Sequence, residues 1–299
     1  MSDTVTHQST REPVTIVEVG PRDGLQNEDR IVPILAKVAF VEALAEAGLS
    51  VIETTSFVHP SLVPQLADAE SLMSQLSRQP QTRYVALVPN AHGYDRARAV
   101  GVTAIALFTS ATEVFCQANI HCSIDDSFER FVPVAKRAKK DKVWMRGYVS
   151  VAFNCPYSGP VPVESAIRVA ERLFELGCDQ VSLADTIGTA STAEVDALMR
   201  RFPAHLPIAK TALHFHDTRG EALSNVAMGL SHGVRVFDSA AGGLGGCPFA
   251  PGAPGNLSTE ALVDYLERQG FDTGVNAASV ASASAAMRFF LETPVTAPL

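Results

Sequence analysis

Two histidines one residue apart, His214 and His216, close an apolar run over 211–216. If that run is a β-strand, alternate side chains point to one side, and both imidazoles face a common point. That spacing suits neighbouring ligand positions on a single metal ion; the competing reading of the pair alone is structural. Asp23, in Gly20-Pro21-Arg22-Asp23-Gly24, supplies a hard anionic oxygen at the end of another apolar run. Two imidazoles, a carboxylate and an amide oxygen suit Mg²⁺ or Mn²⁺, with Co²⁺ or Zn²⁺ also compatible.

A second chemical feature is the segment 242–255, which holds six of the 20 glycines and a single thiol, Cys247. The bland reading is a slack turn. Dense glycine also lets backbone approach a ligand closely and lets a loop move over it. A lone Cys within such a loop is a candidate for catalysis. Pro248 stands where a dinucleotide-binding fingerprint needs its third glycine, and no phosphate-binding P-loop is present.

These groups need elements to carry them. Apolar or β-branched runs at 14–19, 51–57, 83–88, 103–109, 143–151, 180–185, 211–216 and 234–239 read as strands. Segments of helical periodicity lie between them, for example 33–47, 127–139, 163–176 and 221–231. Ser191-Thr192-Ala193-Glu194 has the form of a capping box, and Gly48 and Gly177 stand where helices end. Eight parallel strands alternating with helices predict a (β/α)₈ TIM barrel, an α/β fold, followed by an additional C-terminal helix. The expected organisation is one catalytic barrel over 14–275 and a helix and tail over 276–299. Polar residues gather at the C-terminal ends of these strands, where such a barrel keeps its chemistry. They include Arg22-Asp23, Glu53-Thr54-Thr55-Ser56, Arg146-Gly147-Tyr148, Asp185-Thr186 and His214-Phe215-His216-Asp217.

Composition narrows the partners. The 299 residues carry 24 Lys plus Arg against 32 Asp plus Glu, a formal net charge of −8. That balance argues against sequence-independent binding to nucleic acid or to an anionic membrane. No signal peptide and no long apolar span is evident, so a soluble, cytoplasmic protein is expected. The five cysteines read as reduced thiols. Cys116 and His121-Cys122 lack a second ligand pair for a structural zinc. Lys136-Arg137-Ala138-Lys139-Lys140 reads as a solvated helix end, with contact to the phosphates of a ligand as the lesser reading.

Several stretches together resemble one family. Val19-Gly20-Pro21-Arg22-Asp23-Gly24-Leu25-Gln26-Asn27-Glu28, Ile52-Glu53 with Thr55-Ser56-Phe57-Val58, and Val63-Pro64-Gln65 are similar to stretches of 3-hydroxy-3-methylglutaryl-CoA lyases. So are Asp185-Thr186-Ile187-Gly188, His214-Phe215-His216-Asp217-Thr218 and Gly243-Leu244-Gly245-Gly246-Cys247-Pro248, in the same order. The resemblance implies a (β/α)₈ barrel that uses a divalent cation to cleave a 3-hydroxyacyl-CoA into a ketoacid and acetyl-CoA, and a homodimer. It also implies metal ligands Asp23, His214, His216 and Asn256, with Arg22, Glu53, Asp185, His214 and Cys247 in catalysis. Arg22, Gln26, Ser56, Arg146, Tyr148 and Ser182 are the expected substrate contacts.

Either Asp185 or His214 could act as general base; Asp185 is favoured because a ligating imidazole nitrogen is a poor base. The chain departs from the family pattern at Asp29, His59, Ser61 and Leu62. This leaves a related 3-substituted acyl-CoA open as the substrate. The alternatives are a Claisen-condensing synthase related to isopropylmalate synthase, which shares an RDG segment and an H-x-H strand, and an inactive metal-binding scaffold.

Overall fold

The computed structural model describes residues 11–202, 204–245 and 255–292. Eight parallel strands close on themselves: β1 (Thr15–Glu18), β2 (Val51–Ser56), β3 (Arg83–Leu87), β4 (Ala104–Ser110), β5 (Trp144–Ser150), β8 (Gln180–Asp185), β9 (Thr211–Phe215) and β10 (Val236–Ser239). Around the barrel the order is β1-β10-β9-β8-β5-β4-β3-β2. The gap in numbering is a small antiparallel hairpin after β5, formed by β6 (Asn154–Cys155) and β7 (Gly159–Pro160). All eight barrel strands lie within the runs expected from sequence or within one residue of them. The expected barrel is therefore observed.

The helices that cover this sheet are α1 (Ile34–Glu46), α2 (Ala69–Gln75), α3 (Ala91–Ala99), α4 (Glu113–Ile120), α5 (Ile124–Asp141), α6 (Val163–Leu176), α7 (Thr192–Arg201), α8 (Ala222–Ser231), α9 (Thr259–Arg268) and α10 (Ala277–Glu292). Their sequences explain their seating. In α6 the buried set is Ala166, Ile167, Val169, Ala170 and Leu173, one apolar stripe at helical spacing. Helix α7 opens on the expected capping box, with Ser191 Oγ accepting from Glu194 N and Glu194 Oε2 accepting from Ser191 N at 2.8 Å. Gly48 and Gly177 take φ of 100° and 106°, the left-handed conformation glycine adopts past a helix end.

The polar run at 136–140 lies in the last turns of α5, which ends just before β5 begins. A barrel helix runs antiparallel to its strands, so this run sits at the end of the barrel opposite the strands' C-terminal mouth. That position removes it from any ligand bound at the mouth and leaves the solvated-helix-end reading. The expected tail helix is α10, which buries Val280, Ala283 and Met287 and ties Ser284 Oγ to Glu260 Oε1 at 2.8 Å. Among the described residues, no helix is long and apolar enough to cross a membrane.

Candidate active site

The first strand delivers its polar residues through a tight turn. After β1 the Val19 carbonyl accepts from Arg22 N at 3.1 Å and Asp23 N at 2.7 Å, winding Gly20–Gly24 into one wide helical turn. Arg22 and Asp23 thereby project at the mouth of the barrel. From β2, Glu53 points into the interior, where the register with β3 shifts between Glu53 and Thr55. Such a bulge re-aims side chains next to a site.

Asp23, His214 and His216 offer ligand atoms that all lie within 4.8 Å of one another. His214 is on β9, and His216 follows that strand, bridged to Asn256. Asn256 Nδ2 donates to Asp23 Oδ2 at 2.9 Å and to Leu244 O at 3.1 Å, which leaves its Oδ1 buried without a partner. His216 Nδ1 is likewise buried without one. Orphaned buried polar atoms within a His₂–carboxylate–amide set are what a bound cation satisfies. The electrostatics agree. Burial works against the Asp23 carboxylate, but Arg22, His214, His216 and the Asn256 amide hold its pKa down at about 2. Burial and the neighbouring His214 push His216 down to about 4, against the pull of Asp23. At neutral pH the pair is therefore one anion and one neutral imidazole, the protonation states that bind a divalent metal. Asp23, His214 and His216 fit a divalent metal site, and Asn256 adjoins it through its amide on Asp23.

Beside this cluster Arg22 is clamped from two sides, Nη1 to Asp23 Oδ1 and Nη2 to Glu53 Oε2, each at 2.7 Å. Burial disfavours the Arg22 charge, but Glu53 and Asp23 outweigh it and raise the pKa. Tyr148 donates its hydroxyl to Glu53 Oε2 at 3.0 Å, and burial raises its own pKa well above the usual phenol value. Gln26 Nε2 donates to Asp23 Oδ1 at 2.9 Å. The result is a permanent cation held rigidly beside the candidate metal ligands.

A cavity of about 640 Å³ opens over these groups. Arg22, Asp23, Gln26, Ser56, Tyr148, His214 and His216 line it, as do His59 and Leu62 farther out. Other expected residues are placed differently. Glu53 lies beneath the lining, reaching it through Arg22 and Tyr148. Asp185 is buried, its two oxygens accepting from Thr189 N at 3.1 Å and Ala190 N at 2.9 Å; its neighbours Ala184 and Thr186 line the cavity. Burial lifts the Asp185 carboxyl to about 6, against those amides.

Arg146 and Ser182 were expected at the substrate, and the structure corrects their placement. Both are fully buried below the cavity floor and bind Asp238, through Arg146 Nη2 at 2.5 Å and Ser182 Oγ at 2.9 Å. Arg146 lies two residues before Tyr148 on β5, and Ser182, in register with Tyr148, turns its short side chain onto Asp238. Cys247 lies outside the described residues.

Two buried carboxylates escaped sequence reasoning. Asp238 and Glu18 both fall inside expected strands, each directly after an apolar pair, Val236-Phe237 and Ile16-Val17; a carboxylate in that place was the available signal. Glu18 accepts from Gly20 N at 2.8 Å, Ala241 N at 2.9 Å and the Thr259 hydroxyl at 2.6 Å.

A closed parallel barrel with a His₂–carboxylate cluster at the C-terminal ends of its strands defines a (β/α)₈ protein with a divalent-metal site. Comparison with known proteins makes this specific: the chain belongs to the HMGL-like family, whose model matches residues 13–287. It is 47% identical over 268 residues to the hydroxymethylglutaryl-CoA lyase of Pseudomonas mevalonii, covering 90% of this chain and 89% of that protein. Its fold is similar to the HMG-CoA lyase from Brucella melitensis, with a TM-score of 0.92 and 46% identity, covering 94% of this chain and 100% of that one. An HMG-CoA lyase from Acinetobacter baumannii, solved in complex with coenzyme A and 3-methylmalate, is similar at a TM-score of 0.88 and 35% identity, covering 93% and 91%. The resemblance read from the motifs is thus borne out.

Proposed function

We propose that this protein is a carbon–carbon lyase that cleaves 3-hydroxy-3-methylglutaryl-CoA between C2 and C3, giving acetoacetate and acetyl-CoA. The observation that carries the reading is the contact of Arg22, clamped by Glu53, with Asp23 of the His214–His216 cluster, in a chain 47% identical to a lyase of that name.

The C2–C3 bond breaks when the C3 hydroxyl loses its proton, its oxygen becomes the ketone of acetoacetate, and the bond's electron pair moves into the thioester as an enolate. A divalent cation would be held by Asp23, His214, His216 and Asn256 and would supply Lewis-acid polarisation there; Mg²⁺ or Mn²⁺ is our first choice for this mixed oxygen–nitrogen set, with Co²⁺ or Zn²⁺ as alternatives. Arg22 stabilises negative charge on the thioester oxygen, where a fixed guanidinium needs no reorganisation as the charge develops. Asp185, with its carboxyl lifted to about 6 by burial, receives the hydroxyl proton. Cys247 returns a proton to the enolate carbon, completing acetyl-CoA. Gln26 and Ser56 contact the acyl-CoA, and Tyr148 keeps Glu53 and Arg22 in place. We take 14–275 as the catalytic barrel and 276–299 as its appended helix and tail, in a cytoplasmic homodimer that binds neither nucleic acid nor membrane.

The test is acetyl-CoA release from a panel of 3-hydroxyacyl-CoA thioesters, with Mg²⁺ or Mn²⁺ and with chelator. The panel includes analogues altered at the 3-substituent, because His59 and Leu62 line the outer cavity. Fastest, chelator-sensitive turnover of the 3-methylglutaryl compound is expected. Turnover that survives chelation would remove the cation from the reading, and no cleavage of any thioester would remove the activity.

A further inference from the structure

A histidine ligand presents a lone pair to its cation from one ring nitrogen while the other nitrogen carries the proton, and whatever accepts that proton's hydrogen bond fixes the tautomer. His214 Nδ1 is buried with no aligned hydrogen bond, and Asp238 Oδ2 stands 3.3 Å from it, at ion-pair distance. Asp238 is in turn held by Arg146 at 2.5 Å and by the Ser182 hydroxyl at 2.9 Å. Arg146, Ser182 and Asp238 are each at most 1% exposed, so these bonds form away from bulk solvent. The four residues come from four neighbouring strands, β5, β8, β9 and β10, and Asp238 pairs with His214 in register.

We infer that Asp238 is a positioning residue. It keeps the His214 proton on Nδ1 and turns Nε2 toward the cation, while Arg146 and Ser182 hold the carboxylate in place. The inference rests on the reading of Asp23, His214 and His216 as a cation site. The inventory of donors supports it. A guanidinium and a hydroxyl bond Asp238 and the His214 imidazole stands at ion-pair distance, and an ionised carboxylate can accept from all three without offering a proton of its own. An Asn there has one acceptor oxygen and turns its NH₂ toward at least one of those donors. Arg146 also lies 4.8 Å from the centroid of the Tyr148 ring, and Tyr148 donates to Glu53. One buried arginine therefore stands beneath both the cation ligands and the Arg22 clamp.

The experiment uses the full-length, metal-free protein as wild type, Asp238→Asn and Ser182→Ala. Mn²⁺ is titrated in and the free ion counted by its EPR signal, and ¹⁵N-histidine spectra of the metal-free proteins report the His214 tautomer. Asp238→Asn is expected to weaken Mn²⁺ binding by about 10–100-fold and to abolish the single Nδ1-protonated pattern. Ser182→Ala keeps every charge and is expected to weaken binding by about 3-fold or more, the worth of one hydrogen bond. A folded Asp238→Asn protein with wild-type Mn²⁺ affinity overturns the inference. If that variant does not fold, wild-type affinity and an unchanged ¹⁵N pattern in Ser182→Ala overturn it equally. Absence of stoichiometric Mn²⁺ binding by the wild type is a different failure: it overturns the cation-site reading itself.

Discussion

Glu53 Oε2 and Arg22 Nη2 meet at 2.7 Å although they come from different elements of the barrel, 31 positions apart in the chain. The pair is buried on the Glu53 side and faces the cavity on the Arg22 side, so a carboxylate out of reach of substrate sets the position of a cation within reach of it.

Glu53→Gln keeps the shape and the bond from Tyr148 but removes the charge that clamps Arg22. Displacement of a reacting group by about 1 Å can lower a rate by about 10²-fold, and kcat is expected to fall by about that factor. Arg22→Lys is expected to lose about 10²–10³-fold, because an ammonium cannot span Asp23 and Glu53 as a planar fork does. Steady-state kinetics with the acyl-CoA decide both, and an unchanged kcat in Glu53→Gln would show that the clamp is dispensable.

The pH profile has a limb assigned to Asp185. Burial lifts its carboxyl to about 6, whereas Asp23 and His216 titrate at about 2 and about 4. A general base works only when deprotonated, so kcat/KM is expected to hold above about pH 6 and to fall with unit slope below it. Asp185→Asn should lose that limb together with about 10²–10⁴-fold of the rate. An intact limb at about pH 6 in the variant assigns the titration to another group.

Glu18 links the proton to folding. Burial raises its carboxyl from 4.5 to about 7, against the bonds from Thr259, Ala241 and Gly20. Folding therefore favours the protonated form: its contribution is fully present below about pH 4.5 and is lost as pH rises through about 7. Across that window the wild type forgoes up to about 3 kcal/mol. Glu18→Gln retains an acceptor for the two backbone amides, and its NH₂ can donate to the Thr259 hydroxyl. Denaturant unfolding at pH 5 and pH 8 is expected to show the variant gaining on the wild type as pH rises. A constant difference between the two proteins would refute the linkage.

Gly188 closes the turn after Asp185 with φ of +63°, and a Cβ there would stand 2.5 Å from Thr218 Oγ1 and 2.8 Å from Thr218 N. The backbone contact cannot yield by a rotamer change. Gly188→Ala is expected to cost about 1–3 kcal/mol, read as a lowered Tm, and to reduce kcat by disturbing the amides that hold Asp185. A wild-type Tm would mean that the turn relaxes freely.

Much of this architecture is legible in the residue order. Each barrel strand is a β-branched or apolar run, and the strand ends carry Arg22-Asp23, Glu53, Asp185 and His214 because a parallel barrel gathers its chemistry there. Arg146 and Ser182 mark the limit. Strand alternation tells which way a side chain points, inward or outward, but not how deep it lies. Both residues do point inward; both lie below the floor of the cavity.

Sequence by itself determined the barrel, through its periodicity, and the family, through its motifs, and it marked Asp23, His214 and His216 as candidate ligands by their types at strand ends. Tertiary structure alone decided which inward-facing polar groups touch the cavity and which hold others in place. Asp238 meets Arg146 across 92 positions and Glu18 meets Thr259 across 241. Such pairings follow from how the strands tilt and in what register the barrel closes. No local pattern of residues encodes them, because burial and partner arise only when distant strands are brought side by side.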